Sequence, residues 1–490
     1  MTHSMFYYRS ILINSLLCLF AICSQAQTNK LVTYPAPEGV EMKKDFSVKA
    51  REKGGEWKTI DTYSVKVDRV DNAKHNVEKA SLAYFDFEGE VEVSVTYLGE
   101  KNIETASVRP LSYGISPIKE DSRTVSFTLS QPRNLSIEIN GDIFHNLHLF
   151  AGDLSVYNET QKINKRKLKS DKSIVFFGPG LHKIETDSML IGSNKTVYIA
   201  GGAVVRGCLK VKDAENVRII GRGIIHPEGR GEGIHVANSK NIEIEGIIST
   251  QCPVGGSDNV RVRNVKVISS YGWGDGFNVF ASNNVFYDGV FARTSDDCTT
   301  VYGTRKGYVG GCKNVTMQNS TLWADVAHPI FIGIHGNVEN PEILENLNYI
   351  NIDILDHKEK QIDYQGCLAI NAGDENLIRK VKFENIRIEN FREGQLVNLR
   401  IFYNTKYCKA PGRGIEDILF KDITYNGDRA KLSMIIGYNS ERKVKNIRFE
   451  NLRINGEHIC DTMPGKPKWY KTGDMADIFV GEHTENVTFE

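Results

Sequence analysis

The segment NVRIIG at 216–221 returns as NIEIEG at 241–246 and as NVRVRNV at 259–265. Each copy begins with Asn and then alternates apolar with polar residues. The copies start 25 and then 18 residues apart, and repeats of such length are typical of solenoids. Strand-length copies without helices between them predict an all-β fold with a parallel β-helix over 174–490, since stacked coils bury one continuous core. Later copies stand at 314–319, 381–386 and 447–452.

The Asn of each copy is expected at a fixed corner of the coil. Asn tolerates left-handed backbone angles, and its amide can hydrogen-bond to the Asn of the next coil. The pattern therefore predicts ladders of Asn side chains along the solenoid. The alternative interpretation is a sandwich or a propeller in which the Asn spacing arises by chance.

Residues 27–160 show a different pattern, in which apolar residues alternate with period two and no long helical period intervenes. The clearest stretches are 64–67, 91–97, 125–129 and 135–139. The pair Asn140-Gly141 after the last of them indicates a hairpin turn. Short strands separated by turns predict a β-sandwich domain. The charged stretch Gln161–Lys172 resembles a solvated linker between the two domains.

The first 26 residues have the features of a cleavable signal peptide. Arg9 precedes an apolar run at 11–23 that is too short to span a bilayer, and Ser24-Gln25-Ala26 offers small residues for cleavage. A membrane anchor is the alternative, and lipidation of Cys23 is disfavoured by the bulky residue before it. We expect a secreted or periplasmic protein that does not insert in a membrane once the signal is removed.

Composition excludes several classes of function. The 490 residues include 61 basic and 61 acidic side chains, so nucleic acid is not an expected partner, because binding to phosphates needs a basic excess. Seven cysteines follow the signal, and their odd number leaves at least one free thiol in a monomer. We expect most of them to be buried thiols, with at most one disulfide. Because no Cys-x-x-Cys pair or other credible ligand spacing occurs, we predict no metal and no cofactor. The oligomeric state is left open.

Three aspartates stand out within the solenoid. Asp275 lies between two glycines in YGWGDGF, and Asp296 and Asp297 follow 21 residues after it, which is about one coil. Asp275 and Asp296 should therefore stack on neighbouring coils, whereas Asp297 needs a local bend to reach the same side. Like charges this close repel, so at least one carboxyl should stay protonated near neutral pH. Turn residues on a polar rim are the alternative.

Paired carboxyl groups of this kind favour hydrolysis of a glycosidic bond, in which one acts as acid and another as base. The expected partner is a carbohydrate, either a polysaccharide or an oligosaccharide. Trp273, Tyr302 and Trp323 are candidate aromatic platforms for sugar rings. The alternatives are a polysaccharide lyase on the same fold and a carbohydrate-binding protein without catalysis.

The motifs resemble those of two families of glycoside hydrolases with a right-handed parallel β-helix, which implies that the β-helix of this chain is right-handed. Trp-Gly-Asp275-Gly, then Asp296-Asp297-Cys298, then the segment AHPIFIG at 327–333 are similar to the motif series of family 28, the polygalacturonases. An N-terminal sandwich joined to a β-helix resembles family 49, the dextranases and isopullulanases. The resemblance implies Asp296 as general acid, Asp275 and Asp297 as the residues that hold and deprotonate water, and inversion at the anomeric carbon.

The resemblance also implies supporting and binding residues. His328 matches the family 28 histidine that supports the acid, and His335 is an alternative for that role and a candidate for substrate binding. Family 28 has an Arg-Ile-Lys string that binds the substrate carboxylate, but the nearest string here, Arg400-Ile401-Phe402, lacks the Lys. A galacturonide substrate is therefore in doubt. Arg305, Lys306 and Arg400 remain candidates for binding an acidic sugar.

Overall fold

The computed structural model describes residues 30–71, 74–163 and 170–490. The predicted signal peptide and part of the predicted linker lie outside these residues. The N-terminal strands are β1 (Lys30–Thr33), β2 (Phe46–Glu52), β3 (Lys58–Ile60), β4 (Tyr63–Asp71), β5 (Lys74–Glu88), β6 (Val91–Tyr97), β7 (Ala106–Arg109), β8 (Ile118–Lys119), β9 (Thr124–Leu129), β10 (Arg133–Ile139) and β11 (Leu147–Gly152).

These strands form two mainly antiparallel sheets. Sheet A has the order β1-β5-β11-β10-β7, with β4 paired to β5, and sheet B has the order β3-β2-β6-β9-β8. Apolar side chains from both sheets, such as Val48, Phe85, Val93 and Leu149, meet in one core. The predicted sandwich is therefore present, and each of the four alternating stretches falls within a strand because its apolar residues share one face.

A short α-helix, α1 (Ser155–Gln161), follows the sandwich, and 3-10 turns lie at Leu111–Tyr113, Ile362–Tyr364 and Thr472–Met475. No helix among the described residues has the length and apolar character needed to cross a bilayer.

From Ile174 the strands belong to the predicted parallel β-helix. They are β12 (Ile174–Phe177), β13 (Gly180–Ile191), β14 (Thr196–Ile199), β15 (Ala203–Lys212), β16 (Glu215–Gly221), β17 (Ile224–His226), β18 (Ile234–Ala237), β19 (Lys240–Glu245), β20 (Ile248–Ser249), β21 (Val254–Gly255), β22 (Asp258–Arg263), β23 (Lys266–Ile268), β24 (Phe277–Phe280), β25 (Asn283–Asp288), β26 (Phe291–Thr294), β27 (Thr299–Tyr302), β28 (Cys312–Ala324), β29 (Ile330–Gly333), β30 (Ile343–Asp356), β31 (Leu368–Ala372), β32 (Leu377–Ile388), β33 (Gly394–Gln395), β34 (Val397–Ile401), β35 (Gly414–Tyr425), β36 (Ala430–Lys431), β37 (Ser433–Ile436), β38 (Val444–Glu450), β39 (Leu452–Ile454), β40 (Glu457–Ile459), β41 (Ile478–Val480) and β42 (Thr484–Phe489).

The three quoted copies of the repeat pair with one another in parallel. Val217 aligns with Ile242, and Ile242 aligns with Val260, so the steps of 25 and 18 residues are successive coils of different length. Their inward side chains join a single core that extends to Phe489. The fold prediction is confirmed, because a strand that buries only one row of side chains needs a neighbour above and below it.

The predicted Asn ladders are also present. Asn216, Asn241 and Asn259 all have positive φ angles between 54° and 56°. The side-chain amide of Asn241 donates to Asn216 at 3.0 Å, and that of Asn259 donates to Asn241 at 2.8 Å. A second ladder joins Asn351 to Asn319 at 2.7 Å. Each Asn therefore turns the chain at a corner and also ties its coil to the next one.

The sandwich docks on the β-helix through the outer face of sheet A. Tyr63, Leu82 and Phe150 pack against a row of aliphatic side chains that includes Ile224 and Ile248. The central strand β5 is consequently buried on both faces from Ala80 to Phe87. The seven cysteines beyond the signal are all free thiols, and Cys460 is the one that is not buried.

Candidate active site

A cleft with a volume of about 830 Å³ lies where the β-helix faces the edge of the sandwich. Asp275, Asp296 and Asp297 all line it, so the structure brings the three predicted carboxyl groups to one place. Other residues along its walls are Val70, His75, Arg230, Tyr271, Trp273, Phe280, Tyr302, Arg305, Lys306, His335, Lys358, Glu359, Lys360, Gln361, Tyr364, Lys406 and Tyr407.

The glycines on either side of Asp275 allow its coil to lie close to the next one. A Cβ atom on Gly274 would lie 2.3 Å from Ser295 Oγ, and one on Gly276 would lie 2.4 Å from the carbonyl oxygen of Cys298. The backbone N–H of Gly276 donates to the carbonyl of Asp297 at 2.9 Å. Only residues without a side chain fit at these two positions, and the Asp between them is held beside the Asp pair.

The alignment of the two coils differs from the predicted one by one residue. Phe277 of β24 pairs with Thr299 of β27, a step of 22 residues rather than 21, so Asp275 aligns with Asp297 and not with Asp296. A one-residue change normally moves a side chain to the other face of a strand. Here the segment 295–298 lies between β26 and β27, where the chain is irregular, and both of its Asp side chains reach the cleft.

Asp297 is held by three hydrogen-bond donors. Its Oδ1 accepts from the backbone N–H of His328 at 3.1 Å and lies 2.7 Å from Nδ1 of the same residue. Its Oδ2 accepts from the hydroxyl of Tyr302 at 3.2 Å. These three donors fix the position and orientation of the Asp297 carboxylate.

His328 is the positively charged partner of that carboxylate. It is fully buried, with Nδ1 on Asp297 and Nε2 2.6 Å from the carbonyl oxygen of Tyr364, and neither of these groups can donate a proton. Both ring nitrogens must therefore carry hydrogen. Burial opposes this charge, but the Asp297 carboxylate and its hydrogen bond outweigh burial and raise the pKa of His328. The sequence predicted that His328 supports the acid Asp296, whereas its direct partner is Asp297.

Asp296 has a different environment from its neighbour. Its Oδ1 accepts from the backbone N–H of Asp297 at 3.0 Å, and no side chain among the described residues donates to it. Burial, together with the nearby charges of Asp275 and Asp297, raises the pKa of Asp296 well above its usual range. The carboxyl group of Asp296 therefore keeps its proton to a higher pH than an ordinary aspartic acid does.

The environment of Asp275 is intermediate between those of Asp296 and Asp297. The side-chain amide of Asn278 donates to its Oδ2 and stabilises the charged form. Burial and the charge of Asp297 act in the opposite direction and raise the pKa of Asp275 to about 6. This carboxyl group changes its charge just below neutral pH, which suits a group that accepts a proton during a reaction.

The loop before Asp275 has a strained backbone. Tyr271, Gly272 and Trp273 have φ angles of 78°, 65° and 46°, a region that large side chains seldom adopt. Arg230 holds the loop by donating to the carbonyls of Tyr271 and Gly272, and its guanidinium lies 4.8 Å from the Trp273 ring. The loop presents Trp273, 78 % exposed, at the mouth of the cleft. Strain of this kind is often found at functional sites.

Of the predicted binding residues, Trp273, Tyr302, Arg305, Lys306 and His335 line the cleft. The ring of His335 packs edge-on against Tyr302 at 4.9 Å. Burial and the charge of Arg305 lower the pKa of His335 to about 3, so the imidazole is neutral.

The prediction that Trp323 binds sugar is wrong. Its side chain is fully buried, with the guanidinium groups of Arg293 and Arg109 at 4.1 and 5.2 Å from the ring. The sequence placed it near the motifs, but β28 points it toward the sandwich. Arg400 also lies outside the cleft lining, because its guanidinium donates to the carbonyl of Asp363 at 3.0 Å. Its predicted contact with an acidic sugar is not supported by this position.

Several cleft residues carry no sequence signal of their own. The segment 358–361 follows β30, and Lys406 lies in the loop after β34 and donates to Gln361 at 3.2 Å. Val70 and His75 come from the sandwich. These residues are far apart in the chain, and only the docking of the sandwich and the stacking of later coils bring them together. Among the described residues, no group of three or more His, Cys, Asp and Glu side chains is arranged to hold a metal ion.

Residues 232–468 match the family model described as Glycosyl hydrolases family 28. Among solved structures, Dex49A from Penicillium minioluteum gives a TM-score of 0.62 at 11 % identity, with 93 % of this chain and 96 % of that chain covered. A family 28 exopolygalacturonase from Yersinia enterocolitica gives a TM-score of 0.48 at 12 % identity, with 81 % and 96 % covered. No curated protein matches the chain significantly.

The family match contains all three cleft carboxyl groups, and the likeness to Dex49A covers enough of the chain to include both the sandwich and the β-helix. The chain is therefore a parallel β-helix glycoside hydrolase that resembles families 28 and 49.

Proposed function

We propose that this glycoside hydrolase inverts the anomeric carbon, with Asp296 as general acid, Asp275 as general base and Asp297 beside the attacking water. The proposal rests on one observation: the three carboxyl groups have different environments. Asp297 accepts from three donors, whereas Asp296 lacks side-chain donors among the described residues and has a raised pKa. Carboxyl groups with separated pKa values serve as acid and base in hydrolysis.

The reaction follows from these charge states. Asp296 gives its proton to the glycosidic oxygen as the bond to the anomeric carbon breaks. Asp275 takes a proton from a water molecule, whose oxygen attacks the same carbon from the opposite face of the sugar. The new hydroxyl then has the opposite configuration, and the proton balance is restored when Asp275 passes its proton to solvent and Asp296 regains one.

Asp297 acts on both partners through its charge. Its three donors occupy some of its lone pairs, but the carboxylate retains others that can orient water. Its charge also raises the pKa values of both Asp275 and Asp296, after the larger effect of burial. His328 and Tyr302 fix this charge in place. We therefore propose that His328 positions Asp297 and does not itself react.

We further propose that the substrate is an anionic glycan. Six cationic side chains line the cleft, and none of them forms a salt bridge within the described part of the chain: Arg230, Arg305, Lys306, Lys358, Lys360 and Lys406. Elsewhere on the β-helix surface, cations such as Arg379 and Arg387 pair with carboxylates at 2.8 and 2.6 Å. Because the whole chain has no net charge, this local excess favours a substrate that carries carboxylate or sulfate groups.

The test is a set of four glycans followed by product analysis. Polygalacturonate, alginate and chondroitin sulfate are the anionic members, and dextran is the neutral one. We expect new reducing ends from an anionic member, and NMR during the first turnovers should show the inverted anomer. A product with retained configuration would contradict the assigned roles. Unsaturated, ultraviolet-absorbing uronates would instead indicate a lyase. Cleavage of dextran alone would contradict the proposed substrate charge.

We also propose that the protein is exported, because the first 26 residues have the charge, apolar run and small residues of a signal peptide. Expression of the full chain in a Gram-negative host followed by mass spectrometry of the periplasmic fraction tests this. We expect a chain that begins near Gln27. An uncut chain retained in the cytoplasm or the inner membrane would contradict it.

A further inference from the structure

The sandwich contributes a histidine to the active-site cleft. His75 lies near the start of β5, close to the hairpin that joins β4 to β5, and its side chain is 40 % exposed. It lines the same cleft as the three catalytic carboxyl groups, together with Val70 of β4. The proposed catalytic roles of the β-helix residues do not involve His75.

A buried aspartate fixes the ring of His75. Asp68 has no exposed side-chain surface, and its Oδ2 lies 2.6 Å from His75 Nδ1. The same oxygen accepts from the backbone N–H of Gly272 at 3.1 Å. Because a carboxylate can only accept, Nδ1 carries hydrogen, and in the neutral ring Nε2 is then an acceptor. No described residue hydrogen-bonds to Nε2.

The ring also lies directly against the strained loop before Asp275. A Cβ atom on Gly272 would lie 2.8 Å from Cε1 and 2.9 Å from Nε2 of His75. Trp273, the residue after Gly272, lies at the mouth of the cleft. The imidazole of His75 and the indole of Trp273 therefore line the same cleft.

We propose that His75 is a substrate-binding residue, in which Nε2 accepts a hydrogen bond from a sugar hydroxyl while Asp68 sets the tautomer and orientation of the ring. The inference rests on the proposed function only in that a glycan occupies this cleft. It makes the sandwich a part of the binding site, and the glycan then lies between the two domains.

The chain contains a matched control on the same domain. His145 is also 40 % exposed, and its Nδ1 lies 2.8 Å from the carboxylate of Asp142, but it does not line the cleft. His145→Ala therefore controls for the loss of a half-exposed histidine from the sandwich, but its partner Asp142 is 47 % exposed, whereas Asp68 is buried. We expect His145→Ala to unfold at the temperature of the parent and His75→Ala to unfold at a lower one, because it leaves Asp68 without its imidazole partner. All variants are therefore compared at a temperature at which His75→Ala is folded.

Binding is measured first, by affinity electrophoresis through gels that contain polygalacturonate, alginate, chondroitin sulfate or dextran. Asp296→Asn serves as the parent, so that the glycan is not cleaved during the run. We expect His75→Ala to weaken binding about tenfold to the glycan that retards the parent, the size of one hydrogen bond. His145→Ala should bind as the parent does. A parent that no gel retards would contradict the proposed function and this inference together, whereas equal retardation of His75→Ala would overturn this inference alone.

Kinetics separate a binding role from a structural one. With Asp296 restored and the same glycan as substrate, loss of a substrate contact raises KM about tenfold and leaves kcat within about twofold. If His75 only supported the loop that precedes Asp275, kcat would fall while KM stayed constant. That second result would overturn the proposal.

Discussion

The molecule buries charged side chains in two regions and arranges them in opposite ways. At the interface between sandwich and β-helix, opposite charges meet: Arg222 lies 2.7 Å from Asp86, and Arg293 lies 2.8 Å from Asp325. In the cleft, the carboxyl groups of Asp275, Asp296 and Asp297 lie beside one another, and the lysines and arginines of the lining form no salt bridges within the described residues. Of these three carboxyl groups, only that of Asp297 has a cationic partner in the described part of the chain, the buried His328 at 2.7 Å.

The interface charges stabilise the fold, whereas the cleft carboxyl groups are placed to take part in a reaction. A buried ion pair loses hydration but recovers much of that loss from its partner. Asp275 and Asp296 have no salt-bridge partner among the described residues, so the cost of burying them remains as raised pKa values. The folded state is therefore less stable at the site where a carboxyl group must hold a proton for transfer, and such a loss is common at active sites. Four predictions test this contrast.

Asp296→Asn should reduce kcat by about 10³-fold or more, because an amide cannot donate the proton that the leaving oxygen needs. The measurement is reducing-end release from the cleaved glycan. Asp258→Asn is the control, since Asp258 lies in an outer Asn ladder, where it accepts from Asn284 at 2.7 Å, and an amide oxygen can replace it there. An Asp296→Asn enzyme with normal activity would show that another residue is the acid.

Arg222→Met should lower the free energy of unfolding by about 3–5 kcal/mol, because it leaves Asp86 buried without its cation. Urea unfolding followed by fluorescence measures the effect. Arg218→Met is the matched control: Arg218 lies four residues away in β16, but it is 37 % exposed where it pairs with Glu159 and Glu243. An exposed pair contributes about 0–1 kcal/mol. Equal losses in the two variants would contradict the idea that the interface depends on its buried pairs.

Asp275→Asn should stabilise the protein at neutral pH while it lowers activity. The folded pKa of Asp275 is about 6, above the value of about 3.9 expected when unfolded, so stability is lost as pH rises from about 4 to 6. An amide at this position removes that loss. We expect a gain of about 1–3 kcal/mol at pH 7 and little change at pH 4, as measured by chemical denaturation. The same gain at both pH values would exclude relief of a buried charge as its cause.

Lys306→Gln should move the acid limb of the pH profile of kcat/KM to higher pH by a few tenths of a unit. Activity should fall as pH drops below about 6, when Asp275 gains a proton, and the charge of Lys306 lowers the pKa of Asp275. Removing that charge therefore raises the pKa of the base. Lys382→Gln, at a surface position paired with Glu384, should leave the limb unchanged. A shift to lower pH would contradict the assignment of Asp275 as the base.

The sequence predicted the site well where its residues follow the repeat. Asp275, Asp296 and Asp297 are about one coil apart, and that spacing alone placed them on neighbouring coils. The one-residue difference in alignment, 22 rather than 21, could not be predicted, because it depends on how the irregular segment after β26 bends. His328 was identified, but its partner was not, since Asp296 and Asp297 are adjacent in sequence and only geometry distinguishes them.

Periodicity within single strands determined the sandwich and the β-helix, because each strand must bury one face and each Asn corner needs its neighbour in the next coil. Those requirements are local, so the pattern of neighbouring residues in the sequence reveals them. The tertiary structure decided which face of the sandwich meets the β-helix, why β5 is buried on both sides, and why Trp323 packs between arginines rather than against a sugar. It also decided that His75 borders the cleft. These outcomes depend on contacts between residues far apart in the chain, such as the hydrogen bond from Gly272 to Asp68. A pattern in neighbouring residues cannot predict such contacts.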